Sequence, residues 1–228
     1  MNQIFKTHFE SIDSTSNYAK ANAASLSLPA LITADEQTNG RGRRGNSFFS
    51  PKNTGLYMTL LTDFPNGCNL ITPAAAVSVC EVLEKLGVDP KIKWVNDIFI
   101  DKKKVCGILT ELFETDSRKF LSVGIGINLT TTDFPDDIPV AGSLSMECDR
   151  QILAENIAKN LLQKIHADNI AEEYRKRLFI IGKDISFRKN NILFSATAED
   201  INDECNLIVK YSDGATEALS SGEISIKL

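Results

Sequence analysis

The chain has 228 residues, of which 43% are hydrophobic and 24% charged, so it is long and apolar enough to bury a substantial core. Its net charge of -5 argues against general binding to nucleic acid, because such proteins usually carry surplus lysine and arginine to displace counterions. No run of residues has the length of a signal-peptide core or a bilayer span, and we therefore expect a cytoplasmic protein with no membrane partner.

Neither the cysteines nor the histidines suggest a metal site. The five cysteines are odd in number, widely spaced and without a C-x-x-C pair, so we interpret them as reduced and mostly buried. His8 and His166 lie far apart and are expected to be surface or packing residues. The cysteines are Cys68, Cys80, Cys106, Cys148 and Cys205.

The first predicted elements are a short strand that opens at Ile4, a helix over residues 18–24 and a strand over residues 31–33. Ser14 and Thr15 belong to a polar run that offers several N-cap candidates for this helix. Capping is the simpler interpretation of both residues, and a binding role is the alternative. Gln37 follows the second strand, and residues beyond a strand end are well placed to meet a ligand.

Residues 39–55, NGRGRRGNSFFSPKNTG, form a loop with four glycines and four cationic side chains between two apolar β-rich segments. Glycine permits close backbone approach, and the arginine fork suits carboxylate or phosphate oxygens. The composition predicts a site for a small anion. The alternatives are a nucleic-acid-binding segment and a merely solvated loop.

A buried strand over residues 56–61 and a helix over residues 74–86 follow, with Pro73 at a favoured first helical position and Gly87 at the end. Residues 91–100 are β-rich, and a hairpin with Asp101 and Lys102 at its turn leads back through residues 105–112. The strand over residues 120–129 contains Gly124 and Gly126, and glycines inside a strand indicate close approach of a ligand or another backbone.

Residues 152–179 have helical apolar spacing, whereas short strands and turns predominate after residue 182. We therefore predict an α+β domain over residues 1–181 and a small β-barrel over residues 182–228.

Several motifs together resemble the biotin protein ligases, also called biotin-acetyl-CoA-carboxylase ligases. They are GRGRRG at 40–45, KWVND at 93–97, KVCGILTE at 104–111, GIGIN at 124–128 and GEIS at 222–225. The resemblance implies an α+β fold, with a mixed-sheet catalytic domain of the biotin/lipoate ligase type and a C-terminal SH3-like β-barrel. It also implies an enzyme that forms biotinyl-5'-AMP from biotin and ATP and then transfers biotin to a lysine of a carboxylase carrier domain.

The resemblance also implies the site residues. Lys104, Arg43 and Asp97 are the implied catalytic residues, with the cations offsetting repulsion between two anions. The role of Asp97 stays open among orienting the arginines, holding Mg²⁺ and deprotonating the acceptor lysine. Biotin is assigned to Ser14, Thr15, Gln37, Gly40, Arg41, Trp94, Lys104 and Gly107. The nucleotide is assigned to Arg41, Arg43, Arg44, Asn46, Phe48, Asn96, Gly124, Gly126 and Asn128.

The sequence departs from the family pattern at Ser16, Val95, Asn46 and Phe48, of which Phe48 keeps an aromatic face where a tryptophan is frequent. Because the chain starts almost at the catalytic domain, we expect a short form without the N-terminal DNA-binding domain of some bacterial relatives. Biotin, ATP and Mg²⁺ are the expected small molecules, and a biotin carboxyl carrier protein is the expected partner of a monomer or homodimer.

Three other functions remain open at this point. A lipoate or octanoate ligase is the nearest, although its usual glycine-rich loop is absent from this sequence. A nucleic-acid-binding module would use the Gly/Arg loop, against the acidic balance of the chain. A binding protein that keeps the fold without catalysis is the third.

Overall fold

A computed structural model describes residues 3–64, 70–190, 192–222 and 224–226, so Cys68 and Glu223 lie outside the described residues. A seven-stranded mixed sheet forms the larger part, with strand order β1-β2-β3-β7-β6-β5-β4. β1 and β2 are parallel, and the other neighbours are antiparallel. The strands are β1 Phe5–Phe9, β2 Ala30–Ala34, β3 Gly55–Asp63, β4 Lys91–Lys93, β5 Asp97–Ile100, β6 Lys103–Thr115 and β7 Arg118–Asn128. The helices are α1 Thr15–Ala21, α2 Ile71–Glu84, α3 Arg150–Lys164 and α4 Ile170–Arg177.

The two faces of the sheet have different coverings because side chains alternate along each strand. On β7, Leu121, Val123 and Ile125 belong to the main core, which they share with α2, α3 and α4. The intervening residues, Ser122, Gly124, Gly126 and Asn128, face the opposite side. There α1 covers one end through a small cluster that includes Ala19 and Phe120, and the glycines leave room for side chains of other segments to approach the sheet.

The C-terminal residues form a five-stranded antiparallel sheet with order β11-β10-β9-β8-β12. Trp94 joins it to the larger part, since its indole Nε1 donates to the carbonyl of Cys205 at 2.9 Å. The predicted fold class, a mixed-sheet α+β unit followed by a small β unit, is confirmed. The strands are β8 Asp184–Lys189, β9 Ile192–Ile201, β10 Leu207–Lys210, β11 Thr216–Leu219 and β12 Ile224–Ile226.

Several boundaries differ from those predicted. The helical region over 152–179 is two helices, because residues 165–169 include Asp168 and Asn169, which favour turns over helix interiors. Residues 91–100 are two strands, since β4 and β5 pair with each other across a reversal at residues 94–96. The predicted turn at Asp101 and Lys102 is present, and Asp101 has a φ of 53°.

Two absences can be stated for the described part of the chain. It contains no helix long and apolar enough to cross a membrane, and no group of three or more metal-ligating side chains. The described cysteines, Cys80, Cys106, Cys148 and Cys205, are free thiols.

Candidate functional site

A cleft of about 100 Å³ lies between the glycine loop and the face of β6 and β7 that carries Gly107 and Gly126. Fourteen of the residues predicted for the site line it, and Ser14, Gly40 and Asn128 do not. The fourteen are Thr15, Gln37, Arg41, Arg43, Arg44, Asn46, Phe48, Trp94, Asn96, Asp97, Lys104, Gly107, Gly124 and Gly126.

The charge of the cleft is strongly positive despite the acidic chain. Among the described residues that line it are five cations and one carboxylate, Asp97. A concave surface with this imbalance attracts anions and raises their local concentration. The five cations are Arg41, Arg43, Arg44, Lys93 and Lys104.

The glycine loop folds back on itself through short backbone contacts. The N–H of Gly42 donates to the carbonyl of Asn46 at 2.7 Å, and the N–H of Phe48 donates to the carbonyl of Gly40 at 2.9 Å. Residues Arg43–Gly45 form one 3-10 turn in which Arg44 has a φ of 55°. A side chain at position 40 would place its Cβ only 2.3 Å from the carbonyl oxygen of Phe48, so this close approach requires glycine.

The Phe48 side chain lies directly on the glycines of the sheet. Gly107 and Gly126 are paired across β6 and β7. A Cβ at Gly126 would lie 2.4 Å from Cε1 of Phe48, and one at Gly107 would lie 3.2 Å from Cε2. The ring therefore packs against the two glycines, and Phe48 also lines the cleft.

Two of the predicted catalytic residues form an ion pair. Nζ of Lys104 lies 2.7 Å from Oδ1 of Asp97, on the neighbouring strand. The partner of Asp97 is thus a lysine and not an arginine, and the three roles left open for Asp97 stay predictions. Arg43 is held separately, because its Nη1 donates to Oδ1 of Asn96 at 2.9 Å and Asn96 in turn donates to the carbonyl of Ile108 at 2.8 Å.

A chain of polar side chains forms the other wall. The Gln37 amide oxygen accepts from both the backbone N–H and the hydroxyl of Thr15, each at 3.0 Å. The Thr15 hydroxyl accepts from that of Thr59 at 2.9 Å. The Thr59 hydroxyl oxygen also lies 3.2 Å from that of Ser16. Gly124 is the matching small residue, because a Cβ there would lie 2.7 Å from the Ser16 hydroxyl oxygen.

Three predicted residues have other visible contacts. The Ser14 side chain caps α1 by accepting from the N–H of Asn17, which is the capping alternative. Trp94 lines the cleft but is only 3% exposed, so most of its side chain is packed in the core. Asn128 donates to the carbonyl of Gly142 at 2.9 Å, while its Oδ1 is buried without a partner among the described residues. The adenine contact of Asn128 therefore stays a prediction.

Two residues near the site have shifted pKa values. Burial raises the pKa of the Cys106 thiol well above its usual value, and burial likewise raises the pKa of Tyr57. Both groups are therefore neutral at physiological pH. The charges at the site come from the arginines, the lysines and Asp97.

Thr59 and Glu111 contact site residues but were given no role from the sequence. Both lie on the same sheet face as Gly124, since Thr59 pairs with Gly124 and Glu111 pairs with Ser122. Glu111 forms an ion pair with Arg41 at 3.4 Å. Strand alternation on β3 and β6 would have pointed to both residues, given the register between the strands.

Comparison with known families gives two matches that together cover most of the chain. Residues 8–128 match the biotin/lipoate A/B protein ligase family, and residues 180–227 match the biotin protein ligase C terminal domain.

Named relatives include the bifunctional ligase/repressor BirA of Bacillus subtilis, 32% identical over 209 residues that represent 84% of this chain and 64% of the relative. The biotin-acetyl-CoA-carboxylase ligase of Mycobacterium tuberculosis is 26% identical over 85% of this chain and 77% of its own length. The chain thus spans slightly less than two thirds of the Bacillus relative it matches.

Solved structures share the fold. The biotin protein ligase of Aquifex aeolicus in complex with biotin and ATP superposes with a TM-score of 0.83, at 24% identity and 98% coverage of both chains. The Leishmania major ligase in complex with biotinyl-5-AMP gives a TM-score of 0.63 at 23% identity, over 95% of this chain and 99% of the other.

Proposed function

The chain belongs to the biotin/lipoate A/B protein ligase family, and from that premise we propose that it is an ATP-dependent biotin protein ligase. The observation that carries the proposal is the convergence of five cations on one small cleft with a glycine floor. A ligase of this kind must hold a carboxylate against a polyphosphate, two anions that repel each other. Relatives and solved structures named as biotin protein ligases support the same activity.

In the first step, a carboxylate oxygen of biotin attacks the α-phosphorus of ATP, the bond to the β-phosphate oxygen breaks, and pyrophosphate leaves. Arg41 and Arg43 are proposed to hold the carboxylate and the phosphate, with Lys104 reaching the same oxygens from β6. The ion pair with Asp97 orients Lys104 along the strand without neutralising the whole cleft. Fixed cations in a desolvated cleft stabilise the charge that grows in the transition state.

The polar wall suits the ureido ring of biotin. Thr15 and Gln37 supply a hydroxyl and an amide, which together offer donors and acceptors. Ser14 supports this wall indirectly, because it caps α1, the helix that begins at Thr15. Gly107 and Trp94 complete the biotin subsite, with the indole as the apolar wall. Gly40 contributes indirectly, because its close approach to the Phe48 carbonyl shapes the loop.

The nucleotide is proposed to lie on the side of the cleft nearest Phe48, whose ring can stack on adenine. The phosphates and ribose are proposed to contact Asn96 and the exposed rim residues Arg44 and Asn46. Gly124 and Gly126 contribute indirectly, because they leave room for the Ser16 hydroxyl and the Phe48 ring. Asn128 is proposed for the adenine edge because its buried Oδ1 lacks a partner within the described residues. Mg²⁺ is expected to enter with ATP as its phosphate complex, because the described residues contain no protein cage for a cation.

In the second step, the amine of a carrier-domain lysine attacks the acyl carbon of biotinyl-5'-AMP, the acyl-phosphate bond breaks, and AMP leaves as the amide forms. The amine must lose a proton, and Asp97 is the carboxylate of the described cleft lining. The proposed acceptor is a biotin carboxyl carrier domain, as in the relatives named for acetyl-CoA-carboxylase.

Lipoate ligation is the second candidate, because the family that matches residues 8–128 includes both biotin and lipoate ligases. The match of residues 180–227 to the biotin protein ligase C terminal domain favours biotin. Both acids share the carboxylate and the acyl-adenylate chemistry, so only the substrate distinguishes the two functions.

Pyrophosphate release from ATP tests the proposal, measured with biotin and separately with lipoate. We expect biotin-dependent release that falls sharply in Lys104→Ala and in Arg43→Ala. Lys102→Ala is the matched control, because Lys102 is an exposed lysine at the β5–β6 turn. Release with lipoate in place of biotin would assign the chain to the sister activity, and folded protein that releases no pyrophosphate with either acid would refute the proposal.

A further inference from the structure

Glu111 is a carboxylate on the site face of the sheet, beside the cleft. It lies on β6 two residues after Leu109, and its cross-strand partner on β7 is Ser122. Its side chain is 19% exposed, so it is largely removed from water. A carboxylate in this position needs partners, since burial of an unpaired charge is strongly unfavourable.

Two cations share one oxygen of this carboxylate. Oε1 of Glu111 forms ion pairs with Nζ of Lys20, from α1, and with Nη2 of Arg41 at 3.4 Å. The three side chains together carry a net charge of +1. Glu111 therefore holds Arg41 while the cluster stays attractive to an anion.

Arg41 is held from a second side as well. Its Nη1 donates to Oδ1 of Asn17 at 3.2 Å. The amide of Asn17 is oriented by Asp13, whose Oδ2 accepts from Nδ2 at 2.7 Å. The guanidinium is thus fixed between a helix and a strand, with donors of its planar fork remaining for a ligand.

The second carboxylate oxygen of Glu111, Oε2, makes no hydrogen bond within the described residues that would stabilise the fold. Oε2 is buried without a hydrogen-bond partner in the described part of the chain, and so is the hydroxyl oxygen of Ser122, at the paired position on β7. Buried polar groups without partners cost free energy and are uncommon in native proteins. A functional requirement for a carboxylate at this position would explain why it persists.

We propose that Glu111 is the positioning residue for Arg41 in anion binding, and that Lys20 keeps the cluster positive. This inference rests on the proposed function, in which Arg41 binds the carboxylate and phosphate of the substrates. Glu111 acts through Arg41 and touches no substrate itself. An arginine fixed before the ligand arrives loses less conformational entropy on binding.

The test is a double-mutant cycle with wild type, Glu111→Gln, Arg41→Ala and the double variant, read from biotin-dependent pyrophosphate release. We expect Glu111→Gln to raise the KM for biotin or ATP by about three- to tenfold, as for the loss of a partly exposed charged contact. In the Arg41→Ala background the same substitution is expected to change KM less than about twofold, because the positioned group is absent.

Three comparisons separate positioning from a structural role. Glu114→Gln makes the same chemical change at an exposed position of the same strand and should leave KM unchanged. Urea unfolding of each variant measures the stability effect, which lowers the amount of active enzyme and leaves KM where it was. Glu111→Asp serves if Glu111→Gln does not fold, because it keeps the charge but shortens the reach to Arg41, and it too should raise KM only while Arg41 is present.

An equal rise in KM with and without Arg41, or no rise at all, would overturn the inference. Pyrophosphate release by the wild-type chain tests the proposed function separately. If the wild type released none, the same cycle would be read by calorimetry as the affinity for inorganic pyrophosphate, and equal losses in both backgrounds would again refute the role of Glu111.

Discussion

The contact between the Phe48 ring and Gly126 allows the effect of a Gly126→Ala substitution to be estimated. In Gly126→Ala the new Cβ would lie 2.4, 2.6 and 2.8 Å from three ring carbons of Phe48. Carbon atoms in contact prefer about 3.5–4.0 Å, so the ring must move by roughly 1 Å or more. Overpacking of this kind costs about 1–3 kcal/mol.

The ring cannot move without its loop. The backbone of Phe48 is bonded to Gly40 through its N–H and accepts from the Ser50 hydroxyl at 2.9 Å through its carbonyl. We therefore expect Gly126→Ala to lower the free energy of unfolding by about 1–3 kcal/mol and to weaken ATP binding by a comparable amount. Urea unfolding and the KM for ATP in pyrophosphate release measure the two effects.

Gly107→Ala is the matched control. Its Cβ would lie 3.2 and 3.4 Å from ring carbons of Phe48, so a small adjustment suffices and the cost should be less than about 1 kcal/mol. Phe48→Ala removes the clashing ring, and in that background Gly126→Ala should cost no more than about 0.5 kcal/mol. Equal costs for the two alanine variants, or an undiminished cost of Gly126→Ala without the ring, would refute the reasoning.

Three further outcomes are expected. Asp97→Asn removes the 2.7 Å ion pair with Lys104 and should lower kcat/KM for pyrophosphate release by a few-fold, about 0.5–1 kcal/mol, whereas Asp101→Asn at the turn should not. Arg177→Ala should lower the free energy of unfolding, measured in urea, by about 2–3 kcal/mol. The Arg177 side chain is only 14% exposed and pairs with Glu84 at 2.7 Å and with Glu173 at 3.0 Å. Arg118→Ala is the control and should cost under about 0.5 kcal/mol, because its pair with Asp63 is half exposed. The hydrogen bond from Tyr211 to Glu217, aided by burial, raises the pKa of Tyr211 to about 12, so its stabilising contribution is complete below the unfolded pKa of about 10 and is lost as pH rises through about 12. Tyr211→Phe should abolish a tyrosinate absorbance step near that pH, and an unchanged titration would contradict the assignment.

The parts of the site that could be predicted from sequence are those in which local composition carries the chemistry. Arg41 and Arg43 lie in one short loop and both line the cleft. Glycines at 124 and 126 indicate close approach to the strand whatever the partner strands are, and Ser16 and Phe48 are the residues that approach. Helix α2 was predictable for the same reason, since Pro73, the apolar spacing and Gly87 all lie within it or next to it.

The parts that could not be predicted depend on pairing between distant segments. Thr59 and Glu111 reach the site only through the register of β3 and β6 against β7, and a shift of one residue would turn both away. The contact of Trp94 with Cys205 joins residues 111 positions apart. Local propensity does not contain such information.

Trp94 has a practical consequence as well as a structural one. It is the one tryptophan in the sequence, it is 3% exposed, and it lies between the cleft and the C-terminal sheet. The fluorescence of the chain therefore comes from a single indole at that junction, with no label required. Separation of the C-terminal sheet would expose the ring to water and shift its emission to longer wavelength, while a ligand in the cleft would change its intensity, so one spectrum distinguishes domain separation from occupancy.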